Sequence, residues 1–527
     1  MRGFGFGSAR QTRRRRGVVP VASPVDLLVI AGQSNAGSYG TAGNTSDVPG
    51  YLSGPMSDVF IWNPNTGAWM TYQAGVTSAC YLASGDPGFG SQIWGMEAQL
   101  AWRFRQDNPA KPLYIVKESY SSTALDPVAR ASGRLVWKET LAGELYDRLV
   151  SRVNAAKAAL AAAGKTPAIR AFCWMQGETD ATNSTTASNY GANLASFITA
   201  ARASCIGAST PVVLARCRAD TGFTFNAAVR SAEVNYAETT ANTRWVDEDG
   251  IALAADNVHF NPAGCVTFGN RFYDAVATGA EIAGQYVARM TAAPPAGRTE
   301  ALATLFQALV DKSVYGTLLD LKLLASHDQQ SALLNVKNDS FAGTLTNMTF
   351  VTDRGINGSG SGSFLNTGLT PSTADPTLMT GRNFSASFYL PGSTQDASAI
   401  DYGALTGGTI VCIVRNPSDN TSFRITTASS DPANTLATPD AKGLWTFQRS
   451  ASASQQAYRN GALAKTDTVT TGGGLPTVPT YLGGRNGGSG ATTRRYAMLA
   501  QGSARTAAQE AGLYAAVNAY LTAIGAG

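Results

Sequence analysis

Three short stretches of the chain combine residue types that acyl-transfer chemistry uses. The first is Gly32-Gln33-Ser34-Asn35, directly after the apolar run 26–31. A Ser at the point where a buried strand gives way to a Gly-flanked turn has an exposed hydroxyl near free backbone N–H groups. That placement suits a nucleophile and a developing oxyanion. The same four residues also make an ordinary turn. The second stretch is Asp256-Asn257-Val258-His259, followed by Phe260-Asn261-Pro262. The chain has 2 His in all, His259 and His327. Asn261 can cap a helix that has Pro262 at its first position. The preceding loop then holds Asp256 and His259 three residues apart. A carboxylate there can reach one imidazole nitrogen and leave the other for a nucleophile, which is the Asp–His half of a triad. Taken alone, a His beside a helix cap is more often a structural hydrogen bonder. The third stretch is Trp174-Met175-Gln176-Gly177-Glu178-Thr179-Asp180. It is either a polar loop capping the next helix, or it offers Gln176 as an oxyanion donor, with Glu178 or Asp180 in a supporting role.

The elements that must carry these residues alternate strand and helix over 25–285. The run 26–31 fits a buried parallel strand. A helical pattern follows at 92–106, and 113–116 is a strand. Leu141, Leu145, Leu149 and Val153 repeat every four residues, predicting a helix that stops near Gly164. Residues 168–174 and 211–215 are strands, 226–238 a helix, 244–246 a short strand, and 262–277 a last helix. That order predicts a doubly wound, flavodoxin-like α/β domain, whose ligands bind at the carboxyl ends of the strands. All three stretches fall on that edge.

Composition sets the wider frame. The chain has 527 residues, with 55 Gly and 15% charged residues. Soluble proteins carry about 25% charge and about 7% Gly. Disorder is excluded, since disordered chains are charge-rich. The first sixteen residues hold six Arg (Arg2, Arg10, Arg13, Arg14, Arg15, Arg16) and no acid, so the net charge of +5 becomes −1 without them. A near-neutral body argues against nucleic acid as a partner. The 6 Cys show no metal spacing and no disulfide framework, and buried free thiols are expected. No apolar run reaches 18 residues, so no membrane insertion is expected. The arginines are followed by Pro20 and Pro24 rather than by an apolar core, so no signal peptide is expected.

Four segments follow: a basic Gly/Arg-rich arm over 1–24, the α/β domain over 25–285, a linker with a short helix over 286–315, and a β-rich domain over 316–527. In the last, short β-type runs at 385–390, 409–414, 422–426, 443–449 and 481–482 are separated by Gly, Asn, Ser and Thr. Asn460-Gly461 signals a hairpin. This predicts an antiparallel sandwich or jelly roll, closed by a helix capped by Thr506 with the stripe Leu513, Val517, Leu521 and Ile524.

The three stretches together resemble the blocks of SGNH hydrolases, in particular the sialate O-acetylesterase-like branch of carbohydrate acetyl esterases. The resemblance spans roughly 25–285. It implies Ser34 as nucleophile, His259 as general base and then acid, and Asp256 as the triad acid, with Glu178 as the rival for that role. It implies an oxyanion hole made by the N–H groups of Ser34 and Gly95 and the amide of Gln176, with Gly88 or Gly90 as alternatives to Gly95. Acyl transfer of this kind uses no metal or cofactor. Residues 315–527 are similar to concanavalin-like (laminin-G-type) domains, in a version associated with phage and phage-like particle proteins. That resemblance implies glycan binding or particle architecture. Trp445 and Tyr496 could stack on sugars, although such residues are more often core, and His327 reads as structural.

The expectation is a carbohydrate O-acetylesterase on a virion or phage-like particle, deacetylating a bacterial surface polysaccharide. The arm would meet other particle proteins, and a homo-oligomer is expected. The rival from another class is a non-catalytic glycan-binding protein that uses the fold as a platform. A lipase or thioesterase needs a long apolar groove, whereas 37–58 reads as a polar, glycan-facing loop.

Overall fold

The computed structural model describes residues 23–37, 47–80, 93–109, 111–220, 222–393, 399–406, 409–412, 414–415, 420–428, 434–437, 440–468 and 474–527. Residues 1–22 of the expected arm, and Gly88 and Gly90, lie outside these. Ser23 and Pro24, assigned to the arm from sequence, belong instead to the first strand.

The first domain is built on a seven-stranded sheet. Its strands are β1 (Ser23–Gly32), β2 (Met56–Asn63), β3 (Ala68–Tyr72), β4 (Leu113–Ser119), β5 (Lys165–Met175), β6 (Val212–Arg216) and β7 (Thr243–Asp247), in the order β3-β2-β4-β1-β5-β6-β7. All neighbours are parallel except the β2–β3 hairpin at the edge. The helices are α1 (Met96–Asp107), α2 (Leu145–Ala162), α3 (Ser184–Ala201), α4 (Asn226–Thr239) and α5 (Pro262–Val276). They cover both faces. Leu28 and Ile30 of β1 join one core with residues of α1 and α5, while Leu27, Val29 and Ala31 join the other with residues of α2, α3 and α4. A strand buried on both faces must be apolar, as β1 is from Leu27 to Ala31, while the half-buried Asp26 at its start pairs with Lys111 and Arg170. The strand order reverses beside β1, the place where open α/β sheets bind ligands, and Ser34 follows at the carboxyl end of that strand.

Three local expectations change. Residues 56–58 of the supposed polar loop begin β2, and Val48 and Leu52 are buried. Helix α3 is a further element, capped by Asn183, whose side chain accepts from the Thr185 and Thr186 N–H groups. Segment 286–315 is not an open spacer. It holds the end of α6 (Gly279–Ala288) and the whole of α7 (Arg298–Asp311). Leu302, Leu305, Phe306 and Leu309 of α7 are buried in the same core as α1 and α5.

Among the described residues the second domain has two large antiparallel sheets with a shared core, and two three-stranded ones beside them. One large sheet orders six strands around Phe384–Leu390 and Gly443–Ala451, and the other orders seven around Ile400–Gly403 and Tyr481–Leu482. Phe388, Trp445 and Phe447 from the first pack with Leu365, Tyr402 and Leu482 from the second. Trp445 and Tyr496 are core residues, which removes them as exposed sugar platforms. Asn460 and Gly461 take positive φ of 52° and 77°, the conformation a two-residue hairpin turn requires. The closing helix α8 (Ala507–Ala523) starts in a capping box made by Thr506 and Gln509. Leu513, Val517 and Leu521 are buried in the core shared with α7. His327 bonds to the Ala292 carbonyl (3.1 Å), in keeping with a structural reading. Among the described residues no helix is long and apolar enough to cross a membrane. Cys173, Cys205, Cys217 and Cys265 are buried free thiols and Cys80 is half-buried.

Candidate active site

The turn after β1 is forced by a close approach. Gly32 has φ +146°, and a Cβ there would fall 1.8 Å from the Met175 carbonyl oxygen of β5. The Gln33 N–H donates to that carbonyl (2.9 Å). The chain then closes one helical turn, Ser34–Gly37, with Ser34 as its first residue. First-turn N–H groups have no carbonyl partner within their own helix. Ser34 is 4% exposed, at the carboxyl edge of the sheet.

The second stretch forms a tight loop before α5. Asn261 caps α5 by accepting from the Gly264 N–H (2.8 Å), and its amide donates to the Leu253 carbonyl (3.1 Å). Asp256 and His259 pair directly, with 2.6 Å between Oδ2 and Nδ1. The other carboxylate oxygen, Oδ1, accepts from the N–H groups of Val258 and His259, both at 3.0 Å. Partial burial pushes the Asp256 carboxyl up, but these bonds outweigh it and hold it at about 2. Asp256 is therefore a permanent anion on one face of the imidazole.

Asn35 ties this loop to the turn that holds Ser34. Its amide donates to the Val258 carbonyl (3.2 Å), and its Oδ1 accepts from the Phe260 N–H (3.2 Å). His259 lies between those two residues in sequence, and Asn35 follows Ser34. One buried side chain thus holds both halves of the proposed triad in register. The same amide reaches Glu178 Oε1 at 3.4 Å.

The third stretch lies beneath this arrangement. Gly177 has φ +153°, and a Cβ there would meet Val229, Cys217 Sγ and Glu233 Oε1 at 2.7–2.9 Å. Glu178 sits among Asn35, Cys217, Glu233 and Glu248. Burial pushes its carboxyl up to about 7 and that of Glu233 up to about 8, and raises Glu248 strongly. Burial likewise raises Asp180 to about 6. Of the two rival acids, Asp256 touches His259. The hydrogen bonds of the Glu178 carboxylate run to Asn35 and Cys217.

Two expected oxyanion donors are already engaged. The Gln176 amide nitrogen donates to Asp180 Oδ2 (2.7 Å) and the Thr123 carbonyl (2.9 Å), which uses both of its N–H groups. The Gly95 N–H donates to Glu97 Oε1 (3.0 Å), because Glu97 is buried and turned back over the start of α1 by Lys117 (2.8 Å). Neither is a free donor. Ser34 retains its place at the helix start. Gln33 and Asn35 carry more of the site than their sequence signal indicated. Gln33 Oε1 accepts from the N–H and hydroxyl of Thr179 (3.4 and 3.3 Å), joining the first and third stretches. Among the described residues no cluster of His, Cys, Asp and Glu has a metal-holding arrangement.

The α/β domain thus carries Ser34 on the turn after its first strand and a paired Asp256–His259 on a loop that Asn35 bonds to that turn. Residues 24–278 match the family model of carbohydrate esterases described as sialic acid-specific acetylesterase. Ester hydrolysis on a carbohydrate is thereby supported for this domain at the level of the family. No curated protein matches the chain. Among solved structures, a protein of Arabidopsis thaliana is similar at 21% identity, over 48% of this chain and 98% of that one, with a TM-score of 0.39. NanS is similar at 17% identity, over 49% and 98%, with a TM-score of 0.35. A carbohydrate acetylesterase from Xanthomonas citri is similar at 14% identity, over 86% and 80%, with a TM-score of 0.32.

Proposed function

We propose that residues 25–285 form a carbohydrate O-acetylesterase working by Ser–His–Asp acyl transfer. The observation that carries this reading is the Asp256–His259 pair at 2.6 Å, on a loop that Asn35 bonds to the turn holding Ser34. His259 takes the Ser34 hydroxyl proton as Oγ bonds to the acetyl carbonyl carbon. The carbonyl electron pair moves to oxygen, beside the N–H groups at the start of the Ser34–Gly37 turn. Collapse expels the sugar oxygen, which receives the proton from His259. Water then repeats both steps on the acetyl-enzyme, releasing acetate and restoring Ser34. Asp256 fixes the tautomer and stabilises the imidazolium.

The reading extends to the whole chain. The substrate is an O-acetylated bacterial surface polysaccharide, and the β-rich domain is a concanavalin-like module that binds glycan or spaces the enzyme. Residues 1–22 anchor the protein to a virion or phage-like particle, as a homo-oligomer. The low charge and high Gly content support a role outside cells, and the concentration of Arg in the first sixteen residues supports a separate anchoring segment. The test is acetate release from an O-acetylated bacterial polysaccharide, with p-nitrophenyl acetate as control, comparing wild type and Ser34→Ala. A loss of about 10³-fold or more supports the reading. Equal slow release by both proteins would instead favour a non-catalytic glycan platform.

A further inference from the structure

A cavity of about 860 Å³ lies between the two domains, away from Ser34. Its wall on the α/β side includes Arg216 and Asp247, the last residues of β6 and β7. It therefore opens on the same carboxyl edge of the sheet as the triad. β7 is three strands from β1, a span of roughly 14 Å at the usual inter-strand spacing.

The charges in this wall are matched against each other. Asp249 is bound by both terminal nitrogens of Arg230 (3.0 and 2.7 Å) and by Arg216 (3.2 Å), and Arg216 also pairs with Asp247. The Arg216 guanidinium stacks 4.7 Å above the Trp245 ring. These groups keep part of their surface open, with side-chain exposures of 20% for Arg216, 29% for Asp247 and 35% for Asp249. Trp245 Nε1 lines the cavity region as a buried donor with no hydrogen-bond partner among the described residues. The opposite wall offers Ser450, Gln456 and Tyr458.

The cleft is lined by Arg216, Arg230, Arg271 and Arg505 and by Asp247, Asp249 and Asp274, with Arg505 also paired to Glu510, so its charges nearly balance and it does not select an anionic ligand. It does present fixed donors, fixed acceptors and aromatic surface side by side, which is the complement of a neutral polyhydroxylated molecule. Clefts of this volume at domain interfaces are where ligands bind. We propose that this cleft is a second carbohydrate site, taking a neutral oligosaccharide segment. The inference does not require Ser34 to be a nucleophile.

The test uses the full chain carrying Ser34→Ala, so that bound glycan is not turned over, on an array of immobilised bacterial oligosaccharides and polysaccharides. Two further variants, each in that background, probe the cleft. Ser450→Trp fills it from an exposed strand end, and Asp249→Asn breaks the matched charge. The expected result is binding of neutral glycans that weakens at least tenfold in both variants, with melting temperature within a few degrees of the parent. In a wild-type Ser34 background, Ser450→Trp leaves p-nitrophenyl acetate hydrolysis unchanged. Equal binding by parent and Ser450→Trp, absence of any array binding by the parent, or binding confined to sulfated or phosphorylated glycans would each overturn the proposal. Acetate release by Ser34 is read separately, so the two readings fail independently.

Discussion

Replacing Asn35 with Ala tests whether one buried amide holds the two halves of the site together. The side chain is 3% exposed and bonds the Val258 carbonyl, the Phe260 N–H and Glu178. Ala leaves the Phe260 N–H and the Val258 carbonyl without these partners in a dry site. Each unsatisfied group costs about 1–3 kcal/mol, so the two together cost roughly 2–6 kcal/mol. For a domain of this size that lowers Tm by roughly 4–24 °C. The catalytic effect is separate. His259 sits between the two bonded residues, and a misplacement of about 1 Å costs about 10²-fold in rate. Asn35→Ala is therefore expected to lower kcat for p-nitrophenyl acetate about 10²-fold, with KM nearly unchanged, measured well below the new Tm. Asn35→Asp sharpens the test. It keeps the acceptor for Phe260 but replaces the donor with a second anion facing Glu178 and the Val258 carbonyl. Its activity is expected to recover as pH falls and that repulsion is relieved. An Asn35→Ala enzyme with kcat within threefold of wild type would refute the idea that this side chain sets the triad.

Three further outcomes follow from the geometry. Asp256→Asn is expected to lower kcat by about 10³–10⁴-fold across pH 5–9, because the wild-type carboxylate stays ionised down to about 2 and orients the ring throughout that range; a variant that loses rate only at one end of the profile contradicts this. The buried carboxyls of Glu178 and Glu233 are raised from 4.5 to about 7 and about 8, so the folded state holds extra protons. Their favourable neutral burial is fully present below about 4.5 and is lost as pH rises to about 8. Tm is thus expected to fall by roughly 5–10 °C between pH 5.5 and 8.5, with a shallower slope in Glu233→Gln; scanning calorimetry showing a flat or rising Tm sinks this account. In the β-rich domain, Arg505 and Glu510 form a fully buried pair at 2.7 Å. Glu510→Ala strands the guanidinium and is expected to cost about 3–5 kcal/mol, read as an early unfolding transition; an unchanged melt removes the pair from the stability of that domain.

Much of the architecture was legible because local rules and tertiary demands agreed. The apolar run of β1, the Asn261-Pro262 start of α5, the Thr506 capping box and the Asn460-Gly461 turn each carry their own backbone instruction. Helix α3 was hidden because its Ser, Thr, Asn and Gly residues masked the stripe Tyr190, Leu194, Phe197 and Ile198, all fully buried. Asn183, which caps it, was a usable signal. Only residues 56–58 of the β2–β3 hairpin fell in the segment read as polar and the rest carried no reading, and its place in the sheet comes from pairing with β4, a long-range contact.

For the site, residue type and spacing marked Ser34, Asp256, His259 and Gln176, and the family resemblance added Gly95 and the expected roles. Ser34 follows a buried strand, and Asp256 and His259 are three apart before a capped helix, so each lands at the sheet's carboxyl edge once the strands are parallel. What only the tertiary structure decided is which groups meet. Asp256 rather than Glu178 touches His259, because the loop closes on itself while Glu178 is drawn toward Asn35 and Cys217. The amide of Gln176 and the N–H of Gly95 are spent on Asp180, Thr123 and Glu97. Asn35 becomes the clamp because a buried amide must satisfy its donors and acceptor, and the groups in reach belong to a loop more than 220 residues away. Such pairings depend on burial and distance, which no spacing along the chain records.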